Sequence, residues 1–419
     1  MAWLIGWNRR KPKLVKGSIA GAQTDYQLKL TVYKGSGIDT VDTIYLGGYV
    51  NNDFSDLRFT SSDETTLLPY WIESYISGVS AIVWIKIDSI PADPSSKFIY
   101  IYYDNLIASP VSNGTNTFVF FDDFPYTAGS FASNSKWTKY VGGNYYAGSD
   151  VLIESEKLKL HIAGACYACY SEAGVYSANT FSTSYPIVIK YVSSPITKTY
   201  FGDWDQGDYW PSGFLMSTNA GYPATAGNNW FVISDDGHGD FIISSHDTVT
   251  ARTLYTETVG NIAKNIEIKI NSTNVTVTLN GVVKYNGLHY LNTSNRYIHL
   301  HRYADQRTWI DQTYDNISVR KYASPEPIWD QSSSEQTYTA NLTVSSTPTG
   351  ADIWINDVYR GVTTGWFILN PGTYTIILTK AGYQNYIEII TLLSNVNAIV
   401  YKDLIPIVCV APVCNFIVT

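Results

Sequence analysis

Two short stretches carry residue types that could hold a ligand. Phe201–Trp210 (FGDWDQGDYW) sets Asp203, Asp205 and Asp208 among Trp204, Tyr209 and Trp210. A flat aromatic ring offers a platform to the apolar face of a sugar, and carboxylates accept from its hydroxyls. Ser234–Asp240 (SDDGHGD) places Asp235, Asp236 and Asp240 in a Gly-rich segment. Several hard oxygens on a flexible loop are also what Ca²⁺ requires, so either stretch could bind that ion. Neither has EF-hand spacing, and acidic Gly-rich loops also serve simply as solvated turns. His299 and His301 stand two apart. On a strand they share a face, as a metal pair or as ordinary polar partners.

The four cysteines fall in two close pairs, Cys166/Cys169 and Cys409/Cys414. A zinc reading would need the distant pairs to meet, and neither has flanking His or Gly-turn context. Residues three apart on a continuous strand lie ~10 Å apart, beyond a disulfide. Cys166 and Cys169 would bond only across a turn. Cys409 and Cys414 bracket VAPV, which can close as a tight loop, so a disulfide is open there in an oxidising setting.

The elements that must position these residues are strands. Ile187–Val192, Trp230–Ile233, Ile266–Ile270, Val275–Leu279 and Tyr297–Leu300 alternate apolar and polar residues. That period of two marks half-buried strands. Turn residues break the pattern every eight to twelve positions, which predicts a large antiparallel sandwich over 113–322. Tyr26–Tyr33, Ala81–Ile87 and Phe98–Tyr103 give a first sheet-built unit over 1–112. Residues 323–338, with two prolines and a Ser run, read as an extended linker. A third β unit follows over 339–403. The apolar tail 404–419 is expected either to add a strand to a neighbouring subunit or to pack back on the third unit.

Composition narrows the class. With 419 residues, 15% charged, 15% aromatic and 34 Tyr, the chain reads as a multidomain all-β surface protein. The net charge is -8 and the basic residues are scattered, so no nucleic-acid partner is expected. No apolar run is long enough for a membrane helix. MAWLIGWNRRKPK is the reverse of a signal peptide. Release without a leader, as in virions freed by lysis, or prior removal of one are the expectations.

Three resemblances refine this. Asp56–Thr60 (DLRFT), Leu67–Glu73 (LLPYWIE), Val83–Trp84, Ile90–Ala92 and Ile99–Tyr103 resemble an uncharacterised β-sandwich family of microbial and viral surface proteins. Within it Arg58 and Glu73 are expected as a structural ion pair, with Trp71 as core. The bookends Phe118–Phe124 (FVFFDDF) and Tyr314–Tyr322 (YDNISVRKY) resemble the concanavalin A-like lectin and glucanase superfamily. That implies a jelly roll whose first and last strands pair, bringing Asp122–Asp123 near Asp315–Asn316. Glucanases of that superfamily carry ExDxxE on one strand, and this chain lacks it. Glu154 and Glu156, followed by KLK, read instead as a solvated strand face. Pro348–Ala351, Ile353–Asn356, Gly361, Pro371–Tyr374 and Gly382–Tyr383 resemble the PEGA domain, a small spacer or protein-binding sandwich. Together these imply a non-enzymatic structural or adhesion protein, on a virion surface as tail fibre, spike or capsid decoration. A secreted or surface-layer-associated adhesin is the alternative, and a glycoside hydrolase ranks below both. Expected partners are like subunits in a homo-oligomer or larger surface assembly, and a cell-surface glycan.

Overall fold

The computed structural model describes residues 3–144, 148–163, 170–182, 186–200, 212–220, 229–235, 239–305, 308–393 and 396–408. Among these the chain is all-β apart from one short helix, Gly114–Thr117. It builds three separate hydrophobic cores, and no described helix is long and apolar enough to cross a membrane.

The first core lies between two sheets. One is ordered Thr43–Tyr45, Gln23–Tyr33, Ser80–Ile90, Tyr70–Ile76. Alternation dictates its inner face: Tyr26, Leu28, Leu30 and Val32 are buried, and Lys29 between them is exposed. The facing sheet is ordered Trp329–Ser332, Arg9–Lys16, Ser96–Tyr103, Arg58–Thr60. Its first strand comes from the segment expected to be a linker. Trp329–Ser332 and Gln336–Thr337 both pair antiparallel with Arg9–Lys16. Ala323 and Trp329 are buried in the first core, and the Trp329 indole donates to the Lys29 carbonyl at 2.7 Å. An apolar Trp beside an edge strand with open hydrogen-bonding groups outweighs the local Pro/Ser preference for extension. The central sandwich is therefore an insertion within the first unit.

The central unit has an eight-stranded front sheet and a ten-stranded back sheet around one core. The front sheet runs Trp137–Gly143, Tyr170–Ser177, Asn295–Asp305, Gly213–Ser217, Asn229–Asp235, Asp240–Asp247, Ala251–Thr258, with Phe181–Ser182 also pairing with Asn295–Asp305. All five strands read from alternation lie within its strands or those of the back sheet. The bookends meet: Phe120–Asp122 pairs with Thr308–Lys321, with Asp122 opposite Ile317. Asp122 is fully buried and accepts from the Phe124 amide, the Tyr126 hydroxyl and the Trp137 indole, so it pins the entry of the chain. Glu154 and Glu156 do not share a strand face. Ser155 and Glu156 have φ of 52° and 57° and form the hairpin turn between Asp150–Glu154 and Lys157–Ala163.

The junction of the first and central units is packed rather than flexible. Trp71, Trp84, Phe118 and Phe121 form an aromatic cluster across it. Glu73 does not pair with Arg58. It binds Lys190 of the central unit and accepts from the Trp84 indole at 2.9 Å. Arg58 donates to the carbonyls of Ser55, Leu57 and Ser109. Glu326 closes the junction, accepting from Arg320 at 2.6 Å, Lys269 at 2.8 Å and the Tyr26 hydroxyl at 3.1 Å.

The third unit packs Gly365–Leu369, Ala340–Thr347 and Asn397–Asp403 against a sheet of Val358–Val362, Asp352–Ile355, Gly372–Thr379 and Tyr386–Leu392. Gly382 takes φ of 82°, which a side chain would oppose. The start of the apolar tail folds back here. Leu404 is buried in the third core, and the Ile407 amide donates to the Gly382 carbonyl at 2.9 Å. Cys409 and Cys414 lie outside the described residues.

Candidate functional site

Strand register gathers the chemistry-bearing loops at one end of the central sandwich. Phe201–Trp210 joins Thr197–Tyr200 to Gly213–Ser217. Gly213 sits opposite Ser234 on one side and His301 on the other. The Asp235–Asp240 stretch therefore springs from the neighbouring strand at the same end. The Cys166/Cys169 stretch leaves from Ala163, opposite Trp309, and returns at Tyr170, opposite Asp305. Asp203, Trp204, Asp205, Asp208, Tyr209, Trp210, Asp236, Cys166 and Cys169 lie outside the described residues, as does the side chain of Asp235. Asp240 opens its strand and accepts from the Thr258 hydroxyl at 2.6 Å. Among the described residues no group of His, Cys, Asp and Glu is arranged to hold a metal ion.

The outer side of the front sheet carries a polar and aromatic row. Register puts Tyr140, Glu172, Tyr176, Tyr297, His299 and His301 on one face. His301 Nε2 lies 3.3 Å from Glu172, and Tyr140 stacks on the His301 ring at 5.8 Å. His299 Nε2 meets the Asn219 carbonyl at 3.1 Å. A carbonyl only accepts, so Nε2 carries the proton. Nδ1 is then a buried lone pair with no hydrogen-bond partner among the described residues. Burial, helped by His301, lowers the His299 pKa to about 3, so its ring is neutral. The two histidines thus have polar partners on one face. Glu172 and Asp240 are four strands apart in this sheet, a separation of ~19 Å. Carboxylate pairs that hydrolyse glycosides stand about 5–10 Å apart.

The outer side of the back sheet carries a partly exposed aromatic residue at the same end. Trp309 is 45% exposed and is flanked on the adjacent strands by Thr199 and Ala163. Two residues along its strand, Asp311 receives the His161 Nδ1 proton at 2.6 Å. Lys159 lies 3.3 Å from Asp311 and 3.1 Å from Glu154. The His161 ring meets Trp309 edge-on at 6.2 Å. An exposed indole thus lies beside a ladder of paired, oriented donors and acceptors. His161 and Asp311 stand 150 positions apart in the chain. The alternation Trp309-x-Asp311 on a strand was the available signal.

At the bookend junction Asp123 and Asp315 are both held above the usual carboxylate range, first by burial and then by neighbouring negative charge, that of Asp122 and Glu156 at Asp123 and that of Asp123 and Glu156 at Asp315. Lys157 lies 4.0 Å from Asp315.

Comparison with known proteins matches a stretch from the first unit into the start of the central one, and the third unit. Residues 53–140 match the domain of unknown function DUF2341, and residues 339–406 match the PEGA domain. An uncharacterised protein of Methanocaldococcus jannaschii is 27% identical over 139 residues, which is 32% of this chain and 22% of that protein. The match thus spans less than a quarter of that relative's length. Among solved structures, the Bacillus licheniformis β-glucanase is 12% identical over 48% of this chain and 98% of its own, with a TM-score of 0.35. LamAcat of Zobellia galactanivorans is 16% identical over 49% of this chain and 100% of its own, with a TM-score of 0.33. The carbohydrate-binding module CBM66 of Bacillus subtilis is 8% identical over 45% of this chain and 96% of its own, with a TM-score of 0.29.

Proposed function

We propose that this chain is a non-enzymatic display protein of an exterior surface whose central sandwich contacts glycans at its loop-bearing end. The observation that supports this best is the exposed Trp309 ring beside the His161–Asp311–Lys159 ladder. A pyranose has an apolar face for the indole and equatorial hydroxyls for the ladder. With Nδ1 donating to Asp311, His161 keeps Nε2 to accept from a hydroxyl. Among the described front-face carboxylates, Glu172 and Asp240 stand too far apart to act together in hydrolysis, which supports a binding role for that face. The aromatic loop with Trp204 and Trp210 springs from the same end and would extend the surface.

The setting we favour is a component of a virion exterior, a tail fibre, spike or capsid decoration, built from rigid β units. A cell-surface adhesin is the second reading. Immunogold labelling of virions and of cells separates the two.

The test of glycan contact is a glycan array probed with the wild-type chain, Trp309→Ala and Trp204→Ala. Trp309→Ala is expected to weaken retention about tenfold, or ~1.4 kcal/mol. Its thermal midpoint should stay put, since the ring is half exposed. No glycan retained, or retention indifferent to both substitutions, removes the proposal. Release of reducing sugar from polysaccharide would overturn the non-enzymatic reading.

A further inference from the structure

Six Asn-x-Ser/Thr triplets stand in the chain, at Asn113, Asn271, Asn274, Asn292, Asn316 and Asn341. Such a triplet can accept an N-linked glycan, which requires a surface position. A transferase must reach both the Asn nitrogen and the hydroxyl two residues on. The fold separates the six. Asn341 lies on the middle strand of its sheet, and its Nδ2 donates to Asn397 at 2.8 Å. Asn316 lies within Thr308–Lys321, and the Ser318 of its triplet is buried. The Asn292 side-chain oxygen accepts from the buried Arg296 at 2.6 Å. The Thr276 hydroxyl of the Asn274 triplet donates to Asn286 at 3.2 Å. The Thr115 hydroxyl of the Asn113 triplet accepts from Lys136 at 3.4 Å.

Asn271 differs. Its triplet fills the turn between Lys264–Ile270 and Asn274–Leu279. Buried His289 holds that turn from beneath. Its Nδ1 accepts from the Leu291 amide, so Nε2 carries the proton and donates to the Asn271 carbonyl at 2.8 Å. Its own amide donates to the Thr273 carbonyl at 3.2 Å. On the outer side, Asn271 Oδ1 accepts from the Thr273 and Asn274 amides at 3.0 and 2.8 Å. The Thr273 hydroxyl lies 3.4 Å from the same oxygen. A carboxamide is planar, so Nδ2 points away from these donors. Among the described residues Nδ2 has no hydrogen-bond partner. Ser272 and Thr273 are exposed.

We propose that Asn271 is an acceptor for an N-linked glycan that stays open once the chain has folded. Amide and hydroxyl already stand together on an exposed turn, so nothing need unfold to present them. Nδ2 attacks the anomeric carbon of an oligosaccharide carried on a polyprenyl diphosphate. The C–N bond forms as the sugar–oxygen bond breaks, the diphosphate leaves with the electron pair, and one Nδ2 proton passes to a base of the transferase. The attached glycan stands clear of Trp309. Ile270 lies opposite Ile187, which lies opposite Lys321, at the far end of a 14-residue strand that runs roughly 45 Å from the Trp309 end.

The test uses the folded full chain, a purified single-subunit oligosaccharyltransferase and a polyprenyl-diphosphate oligosaccharide, read by intact mass and peptide mapping. The folded wild type should gain one glycan, at Asn271. Asn271→Gln and Thr273→Val should each abolish that addition. Thr273→Ser, which keeps a hydroxyl, should retain it. Chain unfolded in urea and diluted into the same reaction should be modified at Asn341 as well. A folded chain left bare at Asn271, where the urea-unfolded chain is modified there, overturns the proposal. So does modification of the folded chain at Asn316 or Asn341 in its place, or a Thr273→Val chain modified like the wild type.

Discussion

Glu326→Gln is the sharpest probe of how the first and central units are joined. Glu326 sits in the return segment and touches Arg320 and Lys269 of the sandwich and Tyr26 of the first unit. Burial opposes its charge, but hydrogen bonds and charge from Arg320 and then Lys269 prevail, lowering its pKa from 4.5 to about 2. A depressed carboxylate pKa means that the interaction is fully present above about 4.5 and fades as pH falls toward about 2. A gap of that size corresponds to ~3 kcal/mol. The side chain is 26% exposed, so screening trims this to about 2–3 kcal/mol. Replacement by Gln keeps the shape and removes the countercharge of Arg320, which is 8% exposed. In a unit of this size the melting midpoint should drop by about 4–12 °C at pH 7. Urea unfolding followed by near-ultraviolet circular dichroism would show the wild type and the variant converging as pH falls from neutral toward Glu326's own pKa. Carboxylates elsewhere titrate in both proteins and cancel. Equal stability at pH 7, or a difference that does not shrink on acidification, would refute the reasoning.

Two further outcomes follow from the same geometry. A chain ending at Tyr322 loses both pairing strands and the buried Trp329, a loss on the scale of about 3–5 kcal/mol. Amides of Gln23–Tyr33 should exchange much faster there than in a chain ending at Tyr338, and equal protection would contradict the insertion. His299 should show no ring titration by NMR between neutrality and about pH 4. Its pKa is lowered from 6.5 to about 3, so the unfolded chain takes up that proton first. The resulting stability is complete above 6.5 and is lost as pH falls through that window. A ring that titrates near 6.5 would mean that the site is open to water.

Local patterns determined much of this protein. Alternation located Gln23–Tyr33, Ser80–Ile90 and the sandwich strands because a half-buried strand must place one residue in two against a core. Gly382, part of the PEGA resemblance, takes φ of 82°, which suits a residue without a side chain. The pairing of the bookends was readable through resemblance, and the register of Asp122 with Ile317 bears it out. Other features depended on partners distant in sequence. Ser and Pro around Trp329 signal extension, but a bare edge at Arg9–Lys16 and an apolar slot decided that the segment becomes a strand. Glu73 has a cation nearby in sequence, yet it is Lys190 that the packed junction delivers. Trp309, His161 and Asp311 come together only when two neighbouring strands of one sheet fix their register. Sequence fixes which side of a strand a residue faces, because that is local geometry. Which residues share the side across neighbouring strands is set by how the whole chain closes around its cores.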